Sequence, residues 1–92
     1  MPERYVVVRW PDGAAQRIYS PSTVVEDFFA PGDRIVVAEF VARCREALGI
    51  ASDRVRQAYG FPCADAARSL ASIEARASRA APGDVVVEGI EP

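Results

Sequence analysis

This chain of 92 residues contains two cysteines and no histidine. Histidine is the usual general base and the commonest metal ligand. Without it, serine–histidine and cysteine–histidine nucleophile pairs are excluded within the chain. Cys44 and Cys63, nineteen residues apart, cannot alone supply the four ligands of a zinc site. Of the two, Cys63 is the candidate reactive thiol. It follows Phe61-Pro62 at the entry to an expected helix, where backbone N–H groups and the helix dipole favour thiolate. The bland alternative is a small residue filling an N-cap or junction position. Cys44 falls on an apolar helical stripe and is expected in the core.

The other polar residues suggest solvated faces. Glu26 and Asp27 are adjacent, and neighbouring helical side chains point about 100° apart, so they do not share a site. Arg43, Arg45, Arg54 and Arg56 alternate with Glu39, Glu46 and Asp53, the pattern of surface ion pairs. The six glycines fall singly, so there is no glycine-rich phosphate loop. The net charge of −2 lacks the basic surplus that phosphate contacts demand, so no nucleic-acid partner is expected. No catalytic, cofactor-binding or metal-binding residue is assigned, no cofactor is expected, and the expectation is a protein that is not an enzyme. The aromatic residues carry more promise. Phe28 and Phe29 cannot both enter the core from one short helix, and Tyr5, Trp10 and Tyr19 gather at a hairpin. Most of the five are expected in the core of so small a protein, and those left exposed form a candidate interaction patch, since large exposed apolar patches mark partner surfaces.

The elements that position these groups follow from periodicity and turn chemistry. Tyr5 to Trp10 is β-branched and aromatic and predicts a strand. Pro11-Asp12-Gly13 is a turn, and a second strand over about Ala15 to Tyr19 completes the hairpin, with Val6, Val8, Trp10 and Ile18 inward. Ser20-Pro21 reads as a helix start, with a short helix to about Phe29; an irregular extended segment is the rival. From about Val36 to Tyr59, apolar residues at Val37, Phe40, Val41, Cys44, Leu48, Ala51, Val55, Ala58 and Tyr59 draw one helical stripe. Gly60 suits the left-handed position after the helix, with Phe61 folding back as the cap contact. A further helix spans about Ala64 to Ala80 with Ala67, Leu70, Ile73 or Glu74, and Ala77 on its stripe. Val85 to Ile90 closes the chain as a third strand. The expected fold is one α+β domain over residues 1–92: a three-stranded sheet packed against two main helices, in the order β-β-α-α-α-β. No apolar run approaches the roughly 20 residues of a membrane span, and no signal-peptide pattern opens the chain, so a cytoplasmic protein is expected.

Several stretches occur in an order that carries a resemblance: Arg9-Trp10-Pro11-Asp12-Gly13, Tyr19-Ser20-Pro21-Ser22, Phe40 to Leu48, Tyr59-Gly60-Phe61-Pro62-Cys63, and Ile73-Glu74-Ala75-Arg76-Ala77. Together they resemble the small nitrogen-starvation-response proteins described from mycobacteria and seen in cyanobacteria. The resemblance spans nearly the whole chain. It implies a setting: a gene cluster with a nitrilase, a radical S-adenosylmethionine enzyme, a flavin-dependent oxidoreductase, an acetyltransferase and a synthase-like protein, associated with scavenging nitrogen from nitriles or cyanide. It brings no catalytic residues. The expectation is a non-catalytic accessory protein that binds or regulates an enzyme of that pathway, with homodimerisation through a hairpin edge or the aromatic patch as a further possibility. The alternative is a small-molecule binder or modest enzyme acting on a nitrile-derived metabolite, with Cys63 or a tyrosine at the site.

Overall fold

The computed structural model describes residues 2–92. Strands β1 (Arg4–Arg9) and β2 (Ala15–Ser20) pair antiparallel, with Val6 opposite Ile18 and Val8 opposite Gln16. The turn between them closes through Trp10 N–H to the Ala14 carbonyl at 2.8 Å and Gly13 N–H to the Trp10 carbonyl at 2.8 Å. Asp12 Oδ1 accepts from Ala14 N–H at 3.0 Å, and Gly13 takes a φ of 90°, a conformation that favours glycine.

The segment after β2 departs from the expected helix. It is a 3-10 helix over Thr23–Asp27, and its N-cap is Ser22, whose Oγ accepts from Val24 N–H at 3.2 Å. Ser20 is occupied otherwise: its Oγ donates to the Ser22 carbonyl at 2.8 Å, closing a local turn around Pro21. The β-branched pair Val24-Val25 loses rotamer freedom in an α-helix, and the tighter turn buries both side chains instead.

A fourth strand corrects the three-stranded expectation. Arg34–Val36 forms β3 and pairs antiparallel with the last strand, Asp84–Glu91, hereafter β4. The sheet order is β2-β1-β4-β3, antiparallel throughout, and the chain order is β-β-(3-10)-β-α-α-β. β3 runs straight into helix α1 (Val37–Tyr59) with no turn residue between them. An Ile-Val-Val run therefore changes from strand to helix unmarked.

Helix α1 and helix α2 (Ala64–Ala77) cover one face of the sheet. Val6, Val8, Ile18, Ile35, Val85 and Val87 from the strands meet Phe40, Val41, Cys44, Leu48 and Ile73 from the helices. The register of β1 against β4 shifts between Val7 and Val8, which leaves Glu88 as the extra residue of a bulge. The shift turns Ile90 inward opposite Val6, where strict alternation from Val87 would have turned it out. The opposite face carries ion pairs, Arg9–Glu88 at 3.1 Å and Arg17–Glu91 at 2.9 Å, and the Arg17 guanidinium lies 3.6 Å above the Tyr5 ring. Exposed pairs of this kind contribute little stability and mark a solvent face. The described residues contain no helix long and apolar enough to cross a membrane.

Candidate functional site

The side chains with the most chemistry meet where α2 runs along the edge strand β2. Ala66, Leu70, Ile73 and Ala77 face the core from α2, so the inward stripe begins at Ala66 and Ala67 is exposed. The neighbouring stripe, Asp65, Ser69 and Ser72, faces β2. Trp10 and Ala14 form a hydrogen-bonded pair, so alternation down the hairpin directs the Tyr19 carbonyl away from β1, onto the open edge. Ser69 Oγ donates to that carbonyl at 2.9 Å. Further along, Trp10 Nε1 donates to Gln16 Oε1 at 2.8 Å, and Gln16 Nε2 donates to Ser72 Oγ at 3.1 Å. These bonds fix the helix against the strand and satisfy polar groups the edge would otherwise present.

Between helix and strand lies a groove of about 530 Å³, with Tyr5, Arg17 and Tyr19 on the sheet side and Asp65, Arg68 and Ser72 on the helix side. The Tyr5 and Tyr19 rings meet edge to face, 5.6 Å between centroids. Arg68 is held by Asp65 at 2.9 Å. Burial, helped by donation of the phenol hydroxyl to the Glu3 carboxylate, pushes the Tyr19 pKa up to about 12. The Cys63 thiol and Asp65 stand near enough to add to that shift. At neutral pH Tyr19 is therefore a hydrogen-bond donor with its proton in place, and it cannot serve as a base there.

The structure divides the five candidate aromatics. Trp10 and Phe29 are core residues, 2% and 4% exposed, and both rings pack on Phe40 at centroid distances of 5.5 and 5.4 Å. Trp10 ends the inward row of β1, and Phe29 follows a 3-10 helix whose tighter winding turns it inward. Phe28 is half-buried against the same core. Tyr5 and Tyr19 alone share a surface, and they line the groove. Cys63 is the N-cap of α2: it is half-buried, and its Sγ accepts from Ala66 N–H at 3.4 Å. Cys44 is buried, and desolvation pushes its pKa up to about 12. Glu3, Asp65, Arg68, Ser69 and Ser72 escaped the sequence reading. The serines and Asp65 recur at helical spacing beside the inward stripe, which is the signal that would have found them. Among the described residues, no three of His, Cys, Asp and Glu gather closely enough to hold a metal.

The model of one protein family, "Nitrogen starvation-induced protein NitG", matches residues 5–90. The chain belongs to the NitG family. The match runs from β1 to β4, so it takes in every element that builds the groove. No curated protein and no solved structure matches this NitG-family chain.

Proposed function

We propose that this NitG-family chain is a non-catalytic accessory protein of a nitrogen-starvation pathway, cytoplasmic, binding or regulating one of the pathway's enzymes through the α2–β2 groove. The observation that carries the reading is the character of that groove. Tyrosine and arginine, the residue types enriched at protein interfaces, stand there on a frame locked by the Ser69–Tyr19 and Ser72–Gln16 bonds. Aromatic groups held in place lose little freedom on binding, which favours a stable complex. The absence of histidine from the sequence also supports a role other than acid–base catalysis. The setting, scavenging of nitrile or cyanide nitrogen, comes from the family resemblance. An affinity pull-down of the tagged protein from nitrogen-starved cells tests the reading. One pathway enzyme recovered in fixed proportion, and lost when Tyr19→Ala is the bait, is the expected result. Recovery that ignores Tyr19 moves the interface elsewhere, and a partnerless protein rejects the accessory role.

A second reading is favoured by one observation: half-buried Cys63 caps the helix that walls the groove holding Tyr19. A thiol at the end of that wall and a protonated phenol within the groove suit a small-molecule binder or modest enzyme acting on a nitrile-derived metabolite, by thiol addition to the nitrile carbon and protonation of its nitrogen. A mass increase at Cys63 on exposure to an activated nitrile, abolished in Cys63→Ser, is expected under this reading. An unmodified Cys63 at saturating nitrile sinks it.

A further inference from the structure

The molecule is 39 Å long, and its two ends are of different kinds. At one end α1 finishes on Gly60, in the left-handed conformation with φ 84° and its N–H bonded to the Arg56 carbonyl at 2.8 Å. The expected return of Phe61 onto the helix does not occur. Its side chain is 65% exposed, because the chain must turn outward to start α2 only four residues after α1 ends. Pro62 restricts the Phe61 backbone, so the ring stands on a fixed corner as a knob. At the other end, the start of α1 and the end of α2 enclose an apolar groove of about 750 Å³, floored by Val37, Val41, Ala77 and Ala80 with Val36 and Pro82 on its rim. Val36 is 57% exposed there. The length of α1, roughly 34 Å at 1.5 Å per residue, separates knob from groove.

The charges beside the two features complement each other. Arg56, one turn before the knob, has no ion-pair partner among the described residues, and neither has Asp84 at the groove. We propose that the Phe61 corner of one copy seats in the apolar groove of a second copy, with Arg56 facing Asp84. Knob and groove are different surfaces, so the contact is heterologous: each pair leaves one knob and one groove open, and association continues head to tail. A single corner in a groove buries less than the roughly 800 Å² per partner of a standard interface, so the association is weak and concentration-dependent. It uses neither Tyr5 nor Tyr19, and stands or falls independently of the accessory role.

Sedimentation equilibrium of the full chain over a wide concentration range tests this. The weight-average mass is expected to climb from the 10.0 kDa monomer past the dimer without a plateau. Phe61→Ala and Val36→Arg each alter an exposed side chain, and each is expected to weaken association by about tenfold or more. Mixed in equal amounts, they restore it, since one keeps its groove and the other its knob, and the mass then stops at a dimer. Arg56→Glu and Asp84→Arg, each weak alone, recover association when combined in one chain, and they serve if Val36→Arg fails to fold. A wild-type chain that stays at 10.0 kDa to millimolar concentration overturns the proposal. So does a closed dimer, or a variant mixture that remains monomeric.

Discussion

Raising the pH from about 8 to about 10.5 is expected to destabilise the wild-type fold by about 2 kcal/mol more than a Cys44→Ala variant. The Cys44 thiol titrates near 9.0 when unfolded, and burial in the fold pushes it up to about 12. The folded state therefore keeps a proton that the unfolded state sheds. Stability from this group is fully present below pH 9, and is lost as pH rises from about 9 towards 12. At 1.36 kcal/mol per pH unit, the unit and a half between 9 and about 10.5 gives the expected loss. Tyr19 acts in the same direction above pH 10, but it is common to both chains and cancels in the difference. At pH 8 the variant should be the less stable by about 1–2 kcal/mol, because deleting the sulfur enlarges a void of about 10 Å³ between Cys44, Val6, Ile18 and Phe40. The gap between the two chains then closes with rising pH. Urea unfolding under reducing conditions, followed by Trp10 fluorescence, measures it. Equal loss in both chains would refute the buried, protonated thiol.

Three further outcomes follow from the same geometry. With a thiol-specific chromogenic reagent under native conditions, half-buried Cys63 should react and Cys44 should react only as the chain unfolds; simultaneous reaction would contradict the burial difference. Ser69→Ala should cost about 1 kcal/mol in thermal or urea unfolding by freeing the Tyr19 carbonyl, and an unchanged stability would show that water replaces the hydroxyl at no cost. Gly60→Ala forces a side chain into the left-handed region and should lower stability by about 1–2 kcal/mol, whereas Gly49→Ala, in mid-helix with open space around it, should raise it by up to about 1 kcal/mol.

The long helix, the hairpin and the closing strand were legible because each repeats its signal over many residues. The stripe of α1 is set by several turns of apolar spacing, and Phe40, Val41, Cys44, Leu48, Ala51 and Val55 are all buried as it requires. Its last members, Ala58 and Tyr59, are exposed, since the sheet-side packing ends before the helix does. β3 was hidden for the opposite reason: three residues make too short a pattern, and Val36-Val37 continues it into a helix without punctuation. The 3-10 helix turned on which of two serines caps it, Ser20 or Ser22, and only the local bonds decide between them. The groove was the least legible part. It arises where α2 meets β2 across some fifty residues of sequence, and nothing in either segment announces the other. Among the aromatics, Trp10 is buried as strand alternation requires, whereas the choice of Phe29 over Phe28 as the buried member of its pair depends on the 3-10 winding, which residue type does not fix.

The pairing of β1 with β4, which sets Tyr5 opposite Glu91, has a consequence for how the chain acquires its structure. The central seam of the sheet joins segments separated by nearly the whole sequence, and such long-range closure slows folding relative to local elements. The β1–β2 hairpin and the α1–α2 pair form from neighbours in sequence and can assemble early. Until β4 docks, however, the inner edge of β1 stands bare, with unpaired backbone groups beside Val6 and Val8. During synthesis the nascent chain thus carries an adhesive edge until its last strand is complete. The hazard is one of timing, confined to the interval before the seam closes.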